Sequence, residues 1–417
     1  MNVLGLIVEY NPFHNGHKYH LEKSKQLCSA DFTICVMSGN FIQRGEPAII
    51  DKWARSEMAL LAGVDLVIEI PQVYAMSTAE FFGFGAIKLL DSLGIVTHVC
   101  FGSEHGKIDE LEIISDILID EPASYKKHLK SCLNKGFSYA SSRECAVNMY
   151  FSENSDNHHV DAAIMSSSNN ILAIEYLKAI KRIKSSIRPA TIKRVSNSYN
   201  EKELTGSVSS ATAIRNKIKS EGINSKSIAG SLPPYCLSIL KDNFDKKKGP
   251  VFIDSFDGII MSLLRKKSVD EIRNLPYVAE GLENRIKKAC LETTSINELI
   301  DKVSTKRYTR TRIQRILFSM LSGLTANELD TFNEYGGPQY IRVLGFNEKG
   351  RDVLSKIKKT AMLPVITKPS TYARSCNPLL RKMLEYDSLS TDLYVLTYNN
   401  PRHMKAGDEF TKSPVII

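Results

Sequence analysis

Two patterning regimes run along this 417-residue chain. In the first hundred residues, short β-branched apolar runs alternate with longer segments of helical period. The runs at residues 3–8, 32–37, 65–70 and 96–101 predict strands, and residues 17–27, 52–61 and 78–93 predict helices. Asn11-Pro12 marks a turn, Pro71 ends the third strand, and Gly102 closes the fourth. Continuously apolar strands alternating with helices predict an α/β fold whose parallel sheet is covered on both faces. Further on, residues 107–150 predict helix, 154–161 a polar loop, 169–183 a helix, 191–195 a strand and 209–219 a helix.

The pattern changes after a punctuated stretch at about 220–250. Gly222, Gly230-Ser231, Pro233-Pro234 and Lys246-Lys247-Lys248-Gly249-Pro250 interrupt it. Beyond it the chain predicts helices to about residue 325, then short strands mixed with helices over 340–400. Two domains are expected, at 1–230 and 231–417, the second mainly helical. Charge sharpens that division. The net charge is +9, and residues 231–417 alone carry 30 Lys and Arg against 21 Asp and Glu. Residues 1–230 are therefore balanced, and the excess points to a polyanionic partner for the second domain.

Composition adds exclusions. At 43% apolar and 24% charged, the chain reads as an ordinary globular protein, and it has no run of about 18 apolar residues to span a bilayer. The N-terminal apolar run is short, lacks a basic flank and meets Glu9 at once, so it is expected to be a strand and not a signal peptide. None of the eight cysteines, Cys28, Cys35, Cys100, Cys132, Cys145, Cys236, Cys290 and Cys376, forms a Cys-x-x-Cys pair. Buried free thiols and a cytoplasmic location are expected, with no metal centre.

The chemistry concentrates in the first strand-to-helix connection. Asn11-Pro12-Phe13-His14-Asn15-Gly16-His17 follows the first strand, where open parallel sheets bind ligands. A helix start there presents free N–H groups to phosphate, and Gly16 lets a ligand approach the backbone. His14 and His17, three apart, can donate to phosphoryl oxygens as charge builds on them. Two structural histidines at a helix cap are the competing reading. Ser209-Ser210-Ala211-Thr212-Ala213-Ile214-Arg215 offers hydroxyls and N–H groups with an arginine one turn in, suited to a phosphate; a plain capped helix competes here too. Gln43-Arg44-Gly45-Glu46-Pro47, with Lys52 and Arg55, lines the same site or forms a surface loop.

His14-Asn15-Gly16-His17 resembles the His-x-Gly-His signature of the nucleotidyltransferase superfamily, which binds ATP on a Rossmann-like sheet. Together with Val8-Glu9-Tyr10, Met37-Ser38-Gly39-Asn40-Phe41-Ile42, Phe101-Gly102-Ser103-Glu104 and Tyr308-Thr309-Arg310-Thr311-Arg312-Ile313-Gln314-Arg315, the chain resembles the bacterial tRNA(Met) cytidine acetate ligase family nearly end to end. The resemblance implies a Rossmann-like catalytic domain followed by a basic helical RNA-binding domain. It implies an ATP-dependent ligase that activates acetate as acetyl-AMP and acetylates N4 of the wobble cytidine of elongator tRNA(Met). Mg2+ is expected to arrive with ATP. The ATP contacts it implies are Ile7, Val8, Glu9, Tyr10, Asn11, Pro12, Phe13, His14, Asn15, Gly16, His17, Lys18, Tyr19 and His20, with Gly102, Asn169 and Arg194; Ser209, Ser210 and Thr212 join them from the second motif. Asn170 competes with Asn169, and Ser168 stands where the family pattern has Pro.

Lys306 to Arg315 holds five positive charges and no acid. Ile313, Ile316, Leu317, Met320 and Leu321 form its core face, and Tyr308, Arg312 and Arg315 are expected to share a side away from it. Tyr308, Arg310, Arg312 and Arg315 are the expected RNA contacts, extended by Arg342, Lys349, Arg351, Lys356, Lys358 and Lys359. A solvated basic face is the competing reading. Two other functions compete overall. One is a small-molecule adenylyltransferase of the pantetheine-phosphate or nicotinate-mononucleotide type. The other is a non-catalytic RNA-binding protein on the same fold.

Overall fold

The structure, a computed structural model, describes residues 1–153, 162–194 and 209–417. The loop expected at 154–161 and the last residue of the strand expected at 191–195 lie outside them. The first region alternates β1 (Val3–Val8), α1 (Asn15–Leu27), β2 (Phe32–Ser38), α2 (Lys52–Leu61), β3 (Leu66–Ile70), α3 (Ala79–Ser92), β4 (His98–Ser103), α4 (Ser168–Arg182), β5 (Arg188–Lys193) and α5 (Ala211–Glu221). Strands β1 to β5 are mutually parallel in the order β3-β2-β1-β4-β5. The order reverses beside β1, which makes the carboxyl ends of β1 and β4 a ligand crevice.

Alternation along β2 explains the two-sided cover. Ile34 and Val36 join a core with Leu90 and Leu177, whereas Cys35 and Met37 face the opposite way, into a core with Met58 and Ile214. Both faces being dry, the strands read as continuously apolar. Strand β5 starts at Arg188, three residues before its expected start, because His98 to Ser103 of β4 pair with Arg188 to Lys193. Pro189 is tolerated because, among the described residues, β5 pairs on one side only, as an edge strand. Helix α1 starts at Asn15, two residues before its expected start, because His14 caps it.

The second region departs from a simple cut at 230/231. Residues 251–321 contribute most of a separate helical core, with Phe256, Ile260, Ile286, Leu299, Ile313 and Leu317 at its centre. It contains α6 (Arg310–Ser322). The chain then returns to the sheet through β6 (Ile341–Phe346), followed by α7 (Glu348–Thr360), β7 (Val365–Ile366), α8 (Pro378–Val395) and β8 (Val415–Ile416). Strand β6 lies antiparallel on β3, covering an edge that would otherwise expose unpaired backbone groups. Strands β7 and β8 both run parallel to β6. None of the described helices is long and apolar enough to cross a membrane. Among the eight free cysteines, six are buried, Cys145 is half-buried and Cys376 is exposed.

Charged side chains, all buried, fix this return. Lys52 Nζ donates to Glu69 Oε1 and Oε2 at 2.7 and 2.8 Å and to Glu409 Oε2 at 2.5 Å. Arg342 Nε donates to Glu409 Oε1 at 3.0 Å, and Arg342 sits opposite Glu69 in the β3–β6 register. Tyr340 Oη donates to Asp387 Oδ2 at 2.5 Å. Burial would raise the Glu409 carboxyl, but the Lys52 and Arg342 charges outweigh it and hold it at about 2. Burial and the Glu69 charge push Asp387 up to about 8. Arg342 is thus fully buried and takes no part in the basic surface expected of it.

Replacing Lys52 by Met strands Glu69 and Glu409 together in a dry site. Losing one partner of a buried pair typically costs about 3–5 kcal/mol. A urea-unfolding midpoint for Lys52→Met equal to that of the parent would refute this account of the network.

Candidate active site

A cleft of about 480 Å³ opens at the carboxyl ends of β1 and β4. Its floor is the connection from β1 to α1. Arg55 holds the start of that connection, donating to Glu9 O at 2.6 Å and Ser38 O at 3.0 Å. Asn11 Oδ1 accepts from Ile49 N at 2.8 Å, and Arg215 donates to Asn11 O at 2.9 Å and to Glu46 Oε1 at 2.7 Å. The loop is therefore clamped from α2 on one side and α5 on the other.

The two histidines stack, with ring centroids 3.7 Å apart and planes 25° from parallel. His14 Nδ1 accepts from Gly16 N at 3.1 Å, which makes His14 the cap of α1. That bond fixes the neutral tautomer and leaves Nε2 as the N–H donor. Burial, then the Arg194 and Arg215 charges, lowers His14 to about 3. Burial and Arg194 lower His20 to about 4, and burial followed by the His14, Arg194 and His20 charges lowers His17 well below the usual imidazole range. All three rings are neutral at pH 7. His14 keeps Nε2–H as a directed donor, His17 and His20 each donate to a backbone carbonyl, of Pro12 and Phe101, and the arginines supply the positive field.

A second wall comes from the ends of β4 and β5 and the start of α4. At Gly102 a Cβ would lie 3.2 Å from Arg194 Cγ, so the missing side chain gives Arg194 its path across the cleft. Arg194 Nη1 approaches Asn169 Oδ1 at 3.5 Å, and Asn169 Nδ2 donates to Glu104 Oε1 at 2.6 Å. Asn169 lines the cleft; Asn170 is buried, with Nδ2 on Ile164 O and Oδ1 accepting from His105 N. Ser168 opens α4, the first helical position, which Pro also suits. Ser209, Ser210 and Thr212 line the cleft at the start of α5, where Ser210 Oγ accepts from Ala213 N at 3.1 Å.

Of the expected nucleotide contacts, Ile7, Val8, Glu9, Tyr10, Asn11, His14, Gly16, His17, Tyr19, His20, Gly102, Asn169, Arg194, Ser209, Ser210 and Thr212 meet in this one cleft. Four sit elsewhere. Phe13 packs in the core, Asn15 Nδ2 bonds Gly230 O, Lys18 pairs with Glu22, and Pro12 forms the turn beneath. Lys52 and Arg55 do not line it; the buried network and the loop carbonyls engage them. Gln43, Arg44 and Glu46 do line it, as do Phe82 and Tyr176, aromatics from α3 and α4 that belong to no motif.

The basic segment divides. Arg310 is exposed and pairs with Asp301, and Arg307 pairs with Glu280 at 2.7 Å. Tyr308 Oη donates to Glu280 O at 3.1 Å, and Arg312 lies 5.4 Å over its ring. Arg315 is not with them. It lines the cleft beside Thr309 and Thr311. Tyr308 precedes α6, whose cap is Thr309, so a helical projection from Tyr308 to Arg315 does not hold.

Comparison with known proteins agrees with this geometry. The family model described as HIGH Nucleotidyl Transferase matches residues 1–409. The tRNA(Met) cytidine acetate ligase of Acetivibrio thermocellus is 51% identical over 420 residues, covering 100% of both chains. That of Thermoanaerobacter sp. (strain X514) is 49% identical over 96% of each. The crystal structure of Thermotoga maritima TmcAL superposes with a TM-score of 0.95 at 38% identity over 100% of both chains. Its form bound with alpha-thio ATP superposes at 0.93.

The dry environment of the histidines has a direct readout. The ring proton resonances of His14 and His20 should not titrate between about pH 5 and pH 8; a midpoint near 6.5 for either would show a wet, unshifted imidazole. With the histidine loop, the Ser-Ser-x-Thr helix start and the matched relatives in agreement along its length, the chain belongs to the tRNA(Met) cytidine acetate ligase family of HIGH nucleotidyl transferases.

Proposed function

We propose that this chain is an ATP-dependent ligase that acetylates N4 of the wobble cytidine in elongator tRNA(Met), acting in the cytoplasm, where ATP and tRNA are found. The observation that carries the reading is that one cleft is walled by both regions. The histidine loop and α5 form the phosphate side, and Thr309, Thr311 and Arg315 at the start of α6 form the opposite side. A small-molecule adenylyltransferase has no use for a basic helical wall.

In the first half-reaction an acetate oxygen attacks the α-phosphorus of ATP, the bond to the β-phosphate bridge breaks, and pyrophosphate leaves. His14 Nε2–H donates to the phosphoryl oxygens as negative charge grows on them, and His17, stacked on His14, holds that ring in place. A neutral donor suits this work, since its N–H bond is fixed in direction before the reaction begins. Arg194 and the α5 start with Arg215 take the triphosphate. Among the described residues no cluster of three or more His, Cys, Asp or Glu can hold a metal ion. Mg2+ is assigned to the ATP phosphates, its usual mode of entry into such sites. In the second half-reaction the cytidine N4 attacks the acetyl carbonyl carbon. The carbon–oxygen bond to AMP breaks, AMP leaves, and the amine gives up a proton. The amine is a weak nucleophile and free acetate a poor acyl donor, which is why the adenylate is needed.

RNA delivery is assigned to the surface formed by Tyr308, Arg310 and Arg312, with Lys349, Arg351, Lys356, Lys358 and Lys359 as further positive charge.

Two measurements test this. Product should require ATP and acetate together. His14→Ala should slow acetyl-AMP formation by about a hundredfold, the usual cost of one oxyanion donor, and His17→Ala should slow it by freeing the His14 ring. Product from acetyl-CoA with ATP withheld would overturn the mechanism, and formation of a dinucleotide in place of an acyl-adenylate would favour the small-molecule reading. Separately, Arg307→Glu with Arg310→Glu should weaken tRNA binding and flatten its salt dependence, by about 0.7–0.9 in slope for each phosphate no longer neutralised. Acetyl-AMP formation without tRNA should stay near the parent rate. Normal tRNA affinity with impaired adenylation would reverse the assignment.

A further inference from the structure

Most arginines of the cleft and its rim are already engaged. Arg215 pairs with Glu46, Arg194 reaches Asn169, and Arg312 Nε donates to Tyr277 O at 2.9 Å. Arg315 differs. It lines the cleft, its Nε is buried without a hydrogen-bond partner, and among the described residues no carboxylate pairs with it. Its charged neighbours are Arg312 and Arg44, both positive. Burial presses its pKa below the usual guanidinium range; the Tyr277 phenol works against that, and the Arg312 and Arg44 charges add to it. A half-buried cation whose nearest charges are like-signed, and whose Nε is shut off from water, is costly unless an anion joins it.

The position is built, not incidental. The guanidinium sits 5.8 Å over the ring of Tyr277, whose hydroxyl donates to Ser77 Oγ at 2.8 Å. Beneath α6, Gly45 has a φ of 72°, and a Cβ there would lie 2.4 Å from Arg315 N. The glycine thus lets the helix backbone rest on the Gln43–Glu46 turn, which carries Arg315 into the cleft and off the outer face. Ile42, Ala79 and Phe82 line the same cleft and supply apolar surface suited to a methyl group.

We propose that Arg315 binds a substrate oxyanion inside the adenylation site, and that it is not an RNA contact. The chemistry is that of a planar fork for paired oxygens, which the acetate carboxylate and the triphosphate of ATP both offer. The inference rests on the ligase reading given above.

Acetate-dependent exchange of labelled pyrophosphate into ATP, run without tRNA, tests it. Arg315→Ala and Arg315→Lys are each compared with the parent, and melting curves confirm folding. The KM for acetate or for ATP should rise at least about tenfold, as when a hydrogen bond to a charged group is removed. Free guanidinium should restore part of the Arg315→Ala rate, which a purely structural role does not allow. Equilibrium ATP binding without acetate separates the two sources. Unchanged ATP affinity with a raised acetate KM marks the carboxylate; weakened ATP affinity marks the triphosphate. If Arg315→Ala does not fold, Arg315→Lys decides alone, because it keeps the charge and removes the fork. Parent-like exchange in the folded variants overturns the proposal, and does so equally if tRNA binding falls instead. Failure of the parent itself to exchange would reject the ligase reading, a result distinct from either.

Discussion

The contact of Lys52 with two carboxylates, one from the sheet and one from the far end of the chain, is the interaction on which the rest of the architecture depends. Glu69 lies near the end of β3, and Glu409 is 340 residues further along. Each charge would be prohibitively placed alone, so the three must be assembled together. Their assembly fixes more than stability. Lys52 N donates to Asn40 Oδ1 at 2.9 Å, and Asn40 Nδ2 donates to Thr391 Oγ1, which itself donates to Glu409 Oε2. Asn40 stands between β2 and the Gln43–Glu46 turn. The same α8 that brings Thr391 also brings Tyr394, whose hydroxyl bonds Ala48 O at 2.7 Å. The C-terminal return therefore holds the loop that supports α6 and with it one wall of the cleft.

Against that rigid frame the cleft separates two electrostatic tasks. Imidazoles at about 3 and about 4 stay neutral beside Arg194 and Arg215, and burial is the larger cause of their shift. Neutral rings cost less to keep dry than cations and still donate. The arginines, whose charge cannot be titrated away at neutral pH, provide the field for a polyanion. Glu9 fits the same logic. Burial raises its carboxyl, and Gln43 N at 2.9 Å and the Arg44 charge work against that rise. Its role is to tie the β1 loop to the β2 loop.

Much of this is legible in the sequence, and what is not has physical reasons. The parallel strands stand out because both sheet faces are covered, which makes each strand apolar throughout. His14, Gly16 and His17 are legible because a strand end, a glycine and a helix start fall within a few residues. The return of β6 to this sheet is not, since its pairing with β3 spans more than 270 residues and leaves no local period. Arg342 reads as surface charge and Lys52 as part of the site or a surface loop, because a count of charges carries no distances. Arg315 groups with Tyr308 only when a helix is projected backward past its own cap. Thr309 as cap places Tyr308 before the first turn, where the 100° step has no meaning.

Under the proposed mechanism, the need for two regions around one cleft follows from the intermediate. Acetyl-AMP is a mixed anhydride, and water competes with a weak amine for its carbonyl. A site open on one side would lose the adenylate before the cytidine arrived. Here His14 and Tyr10 are buried beneath the cleft, and the Arg315 Nε on the opposite wall is out of reach of solvent. A wall taken from a helix of the basic body meets both demands at once. It limits water around the adenylate, and it places the charged surface at Arg310 on the same helix that carries Arg315 into the cleft. On the proposed function, the chain's long excursion through residues 251–321, and its return into the sheet at β6, bring RNA and acyl-adenylate to one point.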